Sequence, residues 1–372
     1  MKEINIARMI AYKRKEKGAT QDDLANYIGV SKASVSKWET GQSFPDITFL
    51  PLLAAYFNIS IDDLMGYEPQ MSKEDIRRLY LELSDAFAAR PYDEVLDRCR
   101  SIAKKYFSCF QLLYHIAALL INYSSLAEDS EKTVSVLTEA RMLCARVKEV
   151  SDDTELARQA LGLEAVCAHM LGSPGEVMDL LGETNKSIMS AEPLLAAAYQ
   201  VTGRIREAKT VLQVGMHQHL FGLFGIAPSY LMLYADDNER FDEIYRRTAG
   251  LAEIFNLREL HPSVLLNFYL AAAQGYASAR NTEKALEMLE NYAETATGSI
   301  YPLQLKGDDF FDLIDDWIDE SVLGAEMPRD EKSVRQSMYY AVSENPVFSA
   351  LAEEQRFKST AEKLKSNCRA EF

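Results

Sequence analysis

Residues 31–41 read SKASVSKWETG, and the sides on which their side chains fall decide how the first part of the chain is read. Ser31 is a helix-capping residue type and Gly41 closes the run. At 100° per residue, Lys32, Ala33, Ser36 and Lys37 fall within about 140° of one another, while Val35, Trp38 and Glu39 point the other way. The apolar side predicts packing against neighbouring helices. The outer side is small and cationic, with no bulky apolar group to bar entry into a DNA groove.

The flanking residues place this helix second in a tight pair. Ile6, Met9 and Ile10, with Ala7 and Arg14, trace one face of a first helix that runs to Lys17 and stops at Gly18. Thr20 caps a second helix with Leu24, Ala25 and Ile28 as its core and Asp22 and Asp23 in its first turn, where the helix dipole favours acids. Gly29 supplies the left-handed residue that ends it, and only Val30 separates that glycine from the Ser31 cap. Two short helices joined by so tight a turn, the second presenting lysines and small residues, have what a major-groove reader needs.

The run GATQDDLANYIGVSKASVSKWETGQSFPDITFLPLLAAYFNISIDDLMG closely resembles the XRE, or Cro and phage-repressor, helix-turn-helix family, whose pattern is TQxxLAxxxGVSxxxxSxWExG. The resemblance covers residues 4–66 and implies a five-helix DNA-binding domain. It implies that Gln21, at the start of helix two, holds a backbone phosphate. Lys32, Ala33 and Lys37 then take base-reading positions, flanked by Ser31, Ser34 and Ser36, while Gln42 and Ser43 lie in a loop that touches phosphate. Arg14 and Glu39 match an ion pair tying helix one to helix three. Ala33 offers a base only a methyl contact, so direct readout rests on two lysines, which favour guanine. So short a surface predicts a dimer on two half-sites about 34 Å apart. Pro51 would fall inside a helix capped by Asp46, so helix four is expected to start at Thr48, with the proline in its first turn.

The rest of the chain differs in charge. Residues 1–66 hold eight Lys or Arg and eight Asp or Glu, so the whole net charge of −16 falls on the other residues of this 372-residue chain. Phosphate repels such a segment, and DNA contacts are expected from the first 66 residues alone. Five cysteines without a CxxC pair suit a reduced cytoplasm. No metal site, cofactor motif or catalytic constellation is recognisable, so an enzyme is not expected. Residues 210–235 carry no Asp, Glu, Lys or Arg, but Gln213, His217, Gln218, His219, Gly222, Gly225 and Pro228 argue against a membrane span and predict two buried helices meeting at a bend.

Beyond a linker at residues 67–72, residues 73–372 read as helix throughout. A turn followed by a charged residue and an amphipathic helix recurs at Arg90, Glu128, Gly172, Gly203, Asp237 and Arg280, with spacings of 38, 44, 31, 34 and 43. These scatter around the period of helix-hairpin repeats, and the stretch from Leu195 resembles a tetratricopeptide repeat. The expected fold is all-α, a lambda-repressor-like domain followed by an α-solenoid of tetratricopeptide-like hairpins. First helices of such hairpins line a concave surface. His115 with Asn122, and Asn267 with Gln274, sit two turns apart in uncharged runs, either lining a ligand groove or satisfied in the core or facing solvent. GDDFFDLIDDWIDES, from Gly307, is expected to form a docked helix with Phe310, Phe311, Ile314, Trp317 and Ile318 on its inner face, and the C-terminal helices to cap the array.

This order of domains resembles the Rgg, PlcR and PrgX class of cytoplasmic regulators. The resemblance implies a sequence-specific transcriptional regulator whose array dimerises and binds a signalling peptide or a protein ligand. An interaction scaffold with a weak DNA-binding domain is the alternative.

Overall fold

The computed structural model describes residues 6–65, 70–182, 191–298, 300–326 and 328–368. Five short helices come first: α1 (Ile6–Glu16), α2 (Gln21–Ile28), α3 (Lys32–Glu39), α4 (Leu50–Phe57) and α5 (Ile61–Met65). They enclose one small core of Ile6, Ile10, Leu24, Ile28, Val35, Trp38, Leu53, Phe57 and Leu64. Helix four departs from the expected start. Asp46 does cap, accepting the Thr48 N–H at 2.9 Å, but what it caps is a 3₁₀ turn over Ile47–Phe49. That turn runs directly into α4, so Pro51 lands in the first turn of the α-helix, where its missing N–H leaves no bond unmade.

The linker expected at residues 67–72 falls in part outside the described residues. Ser72 caps α6 (Lys73–Ala89), from which helices pair with their neighbours: α6 with α7 (Tyr92–Lys105), α8 (Phe110–Tyr123) with α9 (Ser130–Val150), α10 (Thr154–Met170) with α11 (Pro174–Leu181), and α12 (Glu192–Val201) with α13 (Ile205–Leu233). Then follow α14 (Asn238–Ile254), α15 (Leu257–Leu260), and the hairpin of α16 (Pro262–Ser278) with α17 (Thr282–Ala296). All six anticipated turn residues lie between helices, with Gly172, Gly203 and Arg280 at positive φ. Among the described residues the β structure is one isolated bridge, Gln304 to Glu326.

Two cores fill the array. One is built mainly from α6 to α10, and the other from α13 to the C-terminal helices α19 (Glu331–Ser343) and α20 (Gln355–Asn367). The segment after α17 ties them together: Phe311, Ile314 and Ile318 join the second core while Val322 joins the first. Arg77 of α6 fixes it by donating to the carbonyls of Val322 at 2.7 Å, Ser321 at 2.9 Å and Asp319 at 3.1 Å. At the far end Arg356 of α20 holds Glu290 with two bonds of 2.7 Å, closing the array.

Two expectations fail here. Residues 210–235 do not form two helices, because α13 continues through Gly222, Gly225 and Pro228 as one helix of 29 residues. Its inner face, Leu220, Phe224, Ala227 and Leu231, is buried in the second core, and that packing offsets the bond lost at the proline. The acidic segment is helical only at α18 (Asp315–Glu320). Asp308 accepts the N–H groups of Phe310 and Phe311, and Asp315 accepts that of Gly307, which holds the preceding residues in turns. Phe310 therefore points to solvent, 54% exposed. His217 is buried among Phe221, Phe311 and Trp317, and this burial, with His261 nearby, lowers its pKa to about 4. His219, two residues on, is exposed. Among the described residues no helix is long and apolar enough to cross a membrane.

Candidate nucleic-acid interface

The turn that presents α3 is built from local chemistry. Thr20 and Asp23 form a reciprocal capping box, with Asp23 N–H donating to Thr20 Oγ1 at 3.2 Å and Thr20 N–H to Asp23 Oδ2 at 2.8 Å. Gly29, at φ +81°, ends α2. Ser31 Oγ then accepts the Ser34 N–H at 3.1 Å and lies 2.9 Å from Ser34 Oγ, so both hydroxyls serve the helix start. Val35 and Trp38 are buried, and Trp38 packs on Phe49 with ring centroids 5.8 Å apart.

The inner end of α3 is locked by charge. Arg14 of α1 donates through Nε to Glu39 Oε1 at 2.6 Å and through Nη2 to Oε2 at 2.9 Å, and its Nη1 donates to the Ala19 carbonyl at 2.8 Å. Gln21 Nε2 donates to Glu39 Oε2 at 2.8 Å. Burial works against the Glu39 carboxylate, but the hydrogen bonds from Arg14 and Gln21 outweigh it and hold its pKa below the usual value. The bond to Gln21 was not anticipated. An amide nitrogen carries two hydrogens, so the bond to Glu39 uses only one of those on Gln21.

The outer face holds Lys32, Ala33 and Lys37 exposed and Ser34 and Ser36 half-buried. Lys32 Nζ sits 2.7 Å from Asp22 Oδ2, with both side chains more than half exposed. A pair so open to water is worth about 0–1 kcal/mol, so an incoming phosphate or guanine can displace the acid. Gln42 is exposed beyond the helix and Ser43 half-buried, but their backbone N–H groups already donate to the Lys37 carbonyl at 2.9 and 3.3 Å. Any further hydrogen bond from these two residues therefore has to come from their side chains. Next to them Phe44, 66% exposed, and Ile47, 77% exposed, present apolar surface that the helical pattern gave no reason to single out. Their exposure is a property of the folded domain that the residue pattern does not carry.

The four candidate ligand residues part company. His115 is buried, its Nδ1 2.7 Å from the Gln111 carbonyl, and burial lowers its pKa. Its ring packs edge-on to Tyr80, and Asn122 donates to the Tyr80 hydroxyl at 3.3 Å. This pair therefore converges on Tyr80. A cavity of about 650 Å³ that includes His115 and Tyr80 lies between α8, α10 and the segment at 320–328. Asn267 and Gln274 do share a groove, of about 570 Å³, whose other wall is Pro228, Ser229, Met232 and Leu233 of α13.

Comparison with known proteins agrees with this geometry at the N-terminus. A family described as Helix-turn-helix matches residues 10–64, and this part of the chain is an XRE-type helix-turn-helix domain. The chain is similar to the HTH-type transcriptional activator BcrR of Enterococcus faecalis, 36% identical over 55 residues, which are 15% of this chain and 27% of that protein. It is also similar to the cryptic phage CTXphi transcriptional repressor RstR of Vibrio cholerae serotype O1, 36% identical over 63 residues, 17% of this chain and 56% of that one. The chain thus spans about a quarter and about half of these two relatives.

Among solved structures, PlcR of Bacillus thuringiensis in complex with the peptide PapR7 and DNA aligns over 98% of this chain and 94% of its own at 12% identity and a TM-score of 0.24. The apo form of ComR from S. thermophilus aligns over 79% and 94% at 14% identity and a TM-score of 0.23.

Proposed function

We propose that the chain is a cytoplasmic, sequence-specific DNA-binding transcriptional regulator without enzymatic activity. In it α3 enters the major groove, and the helical array dimerises and senses a peptide or protein ligand. The observation that carries this reading is the two-sided character of α3. Its inner face is fixed to α1 and α2 by Trp38 and by the Arg14, Gln21 and Glu39 cluster, while Lys32, Ala33 and Lys37 remain exposed. Rigid attachment behind and small cationic groups in front suit base readout. Ser31, Ser34 and Ser36 flank the reading positions, Gln21, Gln42 and Ser43 supply phosphate contacts, and Phe44 and Ile47 add apolar contact to the sugar edge. Asn267 and Gln274 are the ligand contacts supported by a shared groove. His115 and Asn122 act through Tyr80.

The test starts from duplexes selected by the full-length protein from a random-sequence pool. In anisotropy titrations Lys32→Ala and Lys37→Ala each weaken binding about 5- to 100-fold. Asp22→Asn, which releases Lys32 in the free protein, strengthens it. Binding unchanged by both lysine substitutions contradicts the assignment of α3. A protein with no salt-sensitive DNA binding at all is the interaction scaffold instead.

A further inference from the structure

Helix α13 presents a second apolar face that the fold leaves uncovered. Its inward residues belong to the second core, but Leu212, Met216, Leu223, Ile226, Tyr230 and Leu233 are between 37% and 78% exposed. With the exposed His219 filling the one missing place, they recur at alternating intervals of four and three residues. That is a period of 3.5, the spacing of a coiled-coil seam. At 100° per residue the stripe is centred roughly 100° from the buried face, on one flank of the helix. The opposite flank carries Pro228 and Met232 into the groove beside Asn267 and Gln274, and Leu233, at the end of the stripe, also borders that groove.

From this pattern we infer that α13 is the face on which a second copy of the chain docks, its α13 lying antiparallel across the stripe. The inference rests on the dimeric reading proposed above and names its surface. Charge selects the occupant. The net charge of −16 falls entirely beyond residue 66, so two copies repel one another over most of the array's surface. The 26 residues at 210–235 carry no charged side chain, and here two copies can meet without that penalty.

The spacing is also self-complementary. From Leu212 to Tyr230 the intervals read 4, 3, 4, 3 and 4 in either direction, so a two-fold axis beside residue 221 sets Leu212 against the second copy's Tyr230, Met216 against its Ile226 and His219 against its Leu223. This is the isologous contact that a two-fold dimer requires.

Size is sufficient too. The stripe is about 32 Å long at the helical rise. Leu194, Leu195 and Val201 are exposed on the adjoining α12. Together they offer on the order of the 800 Å² per partner that stable interfaces bury. Monomers rarely expose a contiguous apolar patch of that size. Because one helix carries both the seam and a wall of the groove, an occupant of the groove presses on the helix that sets the dimer.

Sedimentation velocity on the full-length protein tests this. The wild type sediments as a dimer, while Leu223→Glu and Ile226→Glu each raise the dimer dissociation constant at least about 100-fold, since each places two carboxylates in the seam. Ile254→Glu, at a more exposed position on α14, leaves the dimer intact. A wild type that stays monomeric at tens of micromolar overturns the dimeric reading itself. A wild-type dimer that survives both seam substitutions overturns only the seam. As a check independent of any loss of assembly, Leu223→Cys in a Cys368→Ser background gives a cross-linked dimer with a short bismaleimide, and Ile254→Cys does not. Absence of that cross-link in a dimeric protein overturns the antiparallel seam.

Discussion

Glu39 shows how one side chain fixes a reading surface. Its carboxylate takes two bonds from Arg14 and one from Gln21, joining three helices at the inner end of α3. Its side chain and that of Arg14 are only 8% and 12% exposed, so Glu39→Ala leaves a buried guanidinium unpaired and destabilises the domain by about 3 kcal/mol or more. Urea unfolding followed by Trp38 fluorescence, with Trp317→Phe to isolate the signal, measures this. The sign of the pH dependence follows from the depressed pKa. The stabilisation is fully present above the unfolded value of about 4.3 and is lost as the pH falls through the lower folded value. Glu39→Gln lacks that component. The inward side of Glu39 follows from the helical wheel, and its pairing with Arg14 from the family resemblance. The Gln21 bond was hidden, because no periodicity marks where a half-buried amide points.

At the scale of elements, α3 depends on its own cap. Ser31→Ala removes the bond to the Ser34 N–H and costs about 1 kcal/mol in the same unfolding experiment, whereas Ser31→Asp, another capping residue, restores most of it. An unchanged midpoint in Ser31→Ala would show that tertiary packing alone sets the start of the helix. The α2–α3 turn was legible because caps and left-handed glycines act over three or four residues. The ends of α4, α13 and α18 were not, for a related reason. Gly222, Gly225 and Pro228 are local signals to stop, but burial of Leu220, Phe224, Ala227 and Leu231 against α16 and its neighbours overrides them. In the acidic segment the error runs the other way. Phe310, Phe311, Ile314, Trp317 and Ile318 sit at helical spacing, yet Asp308 and Asp315 bond to backbone N–H groups and keep residues 307–314 out of a helix.

Across the whole molecule, a near-neutral reading domain is followed by a strongly acidic array, and the two divide the work. In the function proposed above, phosphate attraction and base contact fall to α3 and its loop, and the array would supply the dimer and a groove that shares α13 with the proposed seam. The hairpin turns of that array were visible as recurring small or charged residues. The brace from Arg77 to Asp319, Ser321 and Val322 was not, since it joins residues more than 240 positions apart through main-chain carbonyls that carry no sequence signal. The measurement that tests the central claim most directly is hydroxyl-radical footprinting of the full-length protein on its selected duplex. It should show two protected patches related by two-fold symmetry, with centres about 10 base pairs or a multiple apart, both lost together in Lys32→Ala/Lys37→Ala. A single patch without a symmetric partner, or protection that survives loss of both lysines, would contradict a dimer that reads DNA through α3.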